Sequence, residues 1–185
     1  AVESQEDLVV ASNLNKARGT DVSLAFNHAL IQLNFSAGLT TGFTYAITNI
    51  SISGVNNSGT FTYSNSIGDW TAQDGTASYA YAGDFNGTIT DNVLKLSTGS
   101  NALMLMPQTV PAGAEISITY TATANSTNQV TFNGTKKVAI GGVEWKKGSN
   151  ICYKLILPTG AEAITYSTVV NPWGEEDSQD KTTQP

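Results

Sequence analysis

The stretch EISITYTATA, Glu115 to Ala124, alternates apolar and hydroxyl-bearing residues without a break. Ile116, Ile118, Tyr120, Ala122 and Ala124 fall on one face, and Ser117, Thr119, Thr121 and Thr123 on the other. Period two is the repeat of an extended chain and gives no apolar stripe on a helix. The segment is therefore committed to a strand with one buried face. NICYKLILP repeats the pattern with Ile151, Tyr153, Leu155 and Leu157, and AITYSTVV with Ile164, Tyr166, Thr168 and Val170. Further strands are predicted at 7–11, 43–54, 59–63, 77–82, 102–106 and 129–140 from their β-branched and aromatic residues. Turn signals separate them: Asn-Gly at Asn86 and Asn133, Asp-Gly at Asp74, and Pro-Ala-Gly from Pro111. No window sustains a helical period, and VEWKKG before Asn150 offers one short turn at most. The pattern predicts an all-β fold, an antiparallel two-sheet β-sandwich. Leu24, Phe26, Ile118, Tyr120, Tyr153 and Leu155 are its expected core. Residues 1–173 are expected to form one such domain, and 174–185 (GEEDSQDKTTQP) a flexible acidic tail.

Composition narrows what such a domain does. Hydrophobic residues make up 40% of the 185, enough for a core, and charged residues only 13%. A net charge of -6 repels phosphates, so no nucleic-acid partner is expected. The apolar runs are far shorter than a bilayer-spanning helix requires. The opening AVESQEDL has no signal-peptide pattern and reads as a processed or truncated start. A single cysteine, Cys152, leaves no disulfide framework to build.

Candidate sites are few. His28 is the only histidine, so a triad or zinc site with other histidines is ruled out. A mixed site would need Asp84 or Cys152. His28 sits where the alternation changes phase: Val22, Leu24 and Phe26 share one parity, Ile31, Leu33 and Phe35 the other. A β-bulge or tight turn makes that switch, and a polar ring there can satisfy freed backbone groups. We therefore expect a structural His28. Arg18, the only arginine, is taken as a solvated loop residue rather than a maturation cleavage site. DFNGTITDN, from Asp84 to Asn92, spaces oxygen ligands as a calcium loop does but lacks the closing carboxylate. Trp70, Trp145 and Trp173 offer either a sugar-stacking platform or filling between sheets. Asn-x-Ser/Thr triplets at Asn34, Asn49, Asn56, Asn86, Asn125 and Asn133 are expected by chance in a chain this rich in Asn, Ser and Thr. Glu175 and Glu176 lie in the tail, away from any cleft. No phosphate loop, nucleophile elbow or metal-spaced His/Cys set occurs. No cofactor, metal or catalytic activity is expected.

EDLVVAS followed by VSLAFNHALIQLNF resembles the fimbrillin-type pilins and adhesins of Bacteroidales, through Asp7, Leu8 and Ala11 and then Phe26, His28, Ala29 and Leu30. VEWKKGSNICYKLIL, with Trp145, Gly148, Tyr153 and Leu157, is similar to a later family segment, and ITYSTVVNPW, with Trp173, to its closing strand. Residues 37–140 are only generically β-rich. The resemblance implies a transthyretin-like sandwich matching the second domain of such proteins, with the first domain absent from this chain. It implies a structural or adhesive pilus component, extracellular, at the cell surface and outer membrane. It would act through strand-mediated contact with other pilin subunits or with host or bacterial surface ligands. The family's lipid anchor is not carried by this chain, because Cys152 lies mid-strand. A carbohydrate-binding surface module is the alternative.

Strand donation has a physical basis. A sandwich lacking a strand exposes unpaired backbone groups and an apolar groove, and an added strand satisfies both. Ile164, Tyr166, Thr168 and Val170 give the alternation a candidate donor strand needs. The competing expectation is that the same residues pair within their own sheet.

Overall fold

The computed structural model describes residues 5–12, 19, 21–64, 67–81, 85–86, 89–96 and 101–173. Among these residues the regular elements are all strands, and they build the expected β-sandwich. One sheet runs β13 (Gln129–Ala139), β12 (Glu115–Ala124), β4 (Phe43–Val55), β7 (Ala77–Ala80). The other runs β16 (Thr165–Pro172), β15 (Ser149–Ile156), β3 (Ile31–Gly38), β9 (Val93–Lys95), β8 (Ile89–Thr90). In that sheet β10 (Leu103–Leu105) also pairs with β3. Three small pairings complete the list: β1 (Val9–Val10) with β2 (Asn27–His28), β5 (Ser58–Ser64) with β6 (Ile67–Asp74), and β11 (Gln108–Thr109) with β14 (Glu144–Trp145).

Alternation decides which side chains enter the core. Ile116, Ile118, Tyr120 and Ala122 of β12 meet Ile31, Leu33, Phe35 and Ala37 of β3 and Ile151, Tyr153 and Leu155 of β15 in one apolar cluster. Phe35 sets its ring edge against Tyr81 at 4.9 Å, joining the two layers. One pairing departs from the antiparallel rule: β3 and β15 run parallel, with Ile151 opposite Leu33 and Tyr153 opposite Phe35. A parallel pair needs a long connection, and all four strands of the β13–β12–β4–β7 sheet fall between these two strands in the chain.

Three sequence expectations need correction. Leu24 and Phe26 are 48% and 65% exposed, not core. Residues 21–26 lie in no ladder, and alternation guarantees an apolar face, not a second layer to cover it. The phase change at His28 is a bend at Ala29–Leu30 between two sheets rather than a bulge within a strand. True bulges sit in β4, between Ile47 and Asn49 and again at Gly54, and move the buried positions from Ile47 to Ile50 and Ile52 and then to Val55. Asn133-Gly134 is not a turn. It lies inside β13 opposite Thr121 and Tyr120, and the chain reverses instead at 125–128, where Asn128 has φ 54°. VEWKKG holds the one short turn expected of it, at Lys147–Gly148, and contributes β14 before it.

Candidate functional site

Strand β16 borders its sheet, with β15 on one side and no described strand on the other. Its register places Val170 opposite Ile151, Thr168 opposite Tyr153 and Tyr166 opposite Leu155. Opposed residues share a face, so Tyr166, Thr168 and Val170 continue the core-facing surface outward. Tyr166 and Thr168 are half-buried, Tyr166 lies 5.3 Å from the Tyr153 ring, and Val170 is 47% exposed. Ile164 precedes the strand and is buried in the core. The segment thus pairs within its own sheet, and among the described residues no strand covers its far edge.

The opposite sheet ends in β13, whose open edge is protected. Lys136 stands opposite the fully buried Ile118 and so belongs to the core-facing side. Its Nζ donates to the Glu162 carbonyl at 2.6 Å and lies 4.5 Å from the centre of the Phe132 ring. An inward-facing charge is a device that keeps foreign strands off an edge. Edge strand β16 carries no charged side chain.

At one end of the sandwich Asp7, His28 and Trp173 meet. The His28 ring stacks on Trp173 with centroids 4.1 Å apart and planes 3° from parallel, while its Nδ1 lies 2.7 Å from Asp7 Oδ2. The Trp173 N–H donates to the Gly148 carbonyl at 2.9 Å, and the Gly148 N–H to Leu30 at 2.9 Å. Ala29 donates to the Leu8 carbonyl and accepts from Trp70 Nε1, both at 2.7 Å. Nothing in the lone histidine showed that a carboxylate and an indole would be its partners.

The tryptophans share no platform. Trp145 is buried and donates to the Tyr153 hydroxyl at 3.0 Å, Trp70 belongs to the β5–β6 hairpin, and Trp173 faces His28. Asp91 and Asn92, at φ 50° and 59°, make the two-residue turn between β8 and β9. Arg18, Asp84 and the residues from 174 onward lie outside the described residues. Cys152 lies 3.6 Å from the Ser36 hydroxyl. Among the described residues no three His, Cys, Asp or Glu side chains cluster as metal ligands.

A fimbrillin-like family model matches residues 1–173. The chain belongs to the fimbrillin-like family. Among solved structures, this fimbrillin-like chain is similar to a fimbrial protein from Bacteroides vulgatus ATCC 8482, 19% identical with a TM-score of 0.58. That match covers 81% of this chain and 56% of the other. It is also similar to a candidate cell adhesion protein from Bacteroides uniformis ATCC 8492, 18% identical with a TM-score of 0.49, covering 82% and 54%. The chain spans about half the length of each. The first likeness establishes a shared fold. No curated protein sequence matches this chain.

Proposed function

We propose that this protein is a structural or adhesive component of a bacterial surface fibre, with no catalytic role. Family membership across 1–173 supports the reading, as does the fold shared with a fimbrial protein. In it, residues 1–173 act as one domain, on the cell surface and associated with the outer membrane. The partners are other pilin subunits or host or bacterial surface ligands.

The observation that carries the assembly mode is the open edge of β16. An unpaired edge offers a row of backbone donors and acceptors, and a partner strand satisfies them. Ile164, Tyr166, Thr168 and Val170 then form the meeting strip, and β16 stays in place to receive a strand. Withdrawing it as a donor would pull Ile164 from the core and uncover Ile151, Tyr153 and Leu155. Each large apolar side chain so exposed costs roughly 1.5–3 kcal/mol. The inward Lys136 guards β13, which leaves β16 as the permissive long edge.

Val170→Lys tests this by placing an inward charge on the edge. Because Val170 is already 47% exposed, the variant is expected to fold with stability within about 1 kcal/mol of the parent. It should fail to enter surface fibres when expressed beside unmodified subunits. Incorporation equal to that of the unmodified chain would show that β16 is not the contact edge.

A further inference from the structure

The N-terminal strap, residues 5–12 and 21–28, places no side chain in the core cluster, whose first member is Ile31. Its Leu8, Val9, Val22, Leu24 and Phe26 are exposed. Its two halves pair through β1 and β2, and its contacts with the rest of the described structure include the Ala29–Leu8 bond, Gln5 Oε1 accepting the Met104 N–H at 3.0 Å, and the His28 ring. A segment with so little buried apolar contact opens more readily than the core. The Trp173 side of the ring is different, because Trp173 is bonded to Gly148 and Gly148 to Leu30 at the start of β3.

We propose that the Asp7–His28–Trp173 contact is a proton-controlled clasp. It holds the strap against the end of β16 while the imidazole is charged and loosens when the ring loses its proton. A histidine changes charge between about pH 5 and 8. As a cation it makes a charge-assisted hydrogen bond to the carboxylate and is drawn to the indole face by the ring quadrupole. As a neutral ring it keeps the stack and a hydrogen bond assisted by the carboxylate charge alone, and loses the ion-pair and cation–π attraction. Among the described residues, the other charged groups on the strap, on the turn ahead of Gly148 and on β6 are Glu6 beside Asp7, Asp21, Glu144, Lys146, Lys147, Asp69 and Asp74. Lys147 donates to the Gly68 carbonyl and Lys146 lies 3.7 Å from Glu144. Asp7 is thus the charged group bonded to the ring. The inference does not depend on the assembly reading above.

Amide hydrogen exchange across pH tests it, with the ring signal of the only histidine followed in parallel. Protection of the Ala29 amide, whose N–H donates to the Leu8 carbonyl, relative to β12 and corrected for intrinsic exchange, is expected to fall about fivefold from pH 5.5 to pH 8. The fall should track titration of the ring. Asp7→Asn and Trp173→Leu should each flatten it, and unchanged protection of β12 would confirm that the sandwich is intact in both. A strap whose protection ignores ring titration, or an Asp7→Asn profile matching the unmodified protein, would overturn the proposal.

Discussion

Tyr153 and Trp145 show what a single buried hydrogen bond holds in place. Both side chains are almost fully buried, and the Trp145 N–H donates to the Tyr153 hydroxyl. Tyr153→Phe keeps the ring but orphans that donor, and a buried unpaired donor costs about 1–3 kcal/mol. The expected result is a lower urea midpoint with an unchanged m-value; an unchanged midpoint would mean that the indole finds another acceptor. Gly141 is constrained by space. A methyl group there would sit 2.6 Å from Ala112 Cα, so backbone must move. Gly141→Ala is therefore expected to lower stability by about 1–3 kcal/mol in the same assay. The sequence marked Tyr153 as core from its parity. The partner of its hydroxyl was not legible, because it depends on where β14 lands.

Strand edges carry the predictions at the level of elements. If Lys136 is the guard of β13, Lys136→Val should leave the fold intact and raise concentration-dependent association, measurable by light scattering. A variant that stays as monodisperse as the parent would assign Lys136 no protective role. Most strands were legible, β12 to the residue, because their alternation is unbroken. Bulges were not. Ile47 and Ile50 in β4 differ in parity just as Phe26 and Ile31 do, yet one pair spans a bulge and the other a bend between sheets. Parity records that the phase changes, not how the chain changes it.

Across the whole molecule the tyrosines predict a pH limit. Burial pushes the phenols of Tyr81, Tyr120 and Tyr153 well above the usual value of 10.0, with neighbouring Cys152 adding for Tyr81, Tyr45 and Glu162 for Tyr120, and Tyr166 for Tyr153, where the Trp145 hydrogen bond opposes. The unfolded chain releases these protons near pH 10 while the folded chain keeps them. Stability is thus fully present below about pH 10 and falls as pH rises beyond it. The denaturant midpoint should drop between pH 9 and pH 11, and an equal midpoint at both would refute the coupling. The sequence by itself determined the class, most of the strands and the four central core residues Ile118, Tyr120, Tyr153 and Leu155, because these follow from a local two-residue repeat. Only the tertiary structure decided that β3 and β15 pair in parallel, that Leu24 and Phe26 go uncovered, and that Asp7, His28 and Trp173 meet. Each of these depends on which distant segment lies alongside, and a local repeat carries no record of its neighbours.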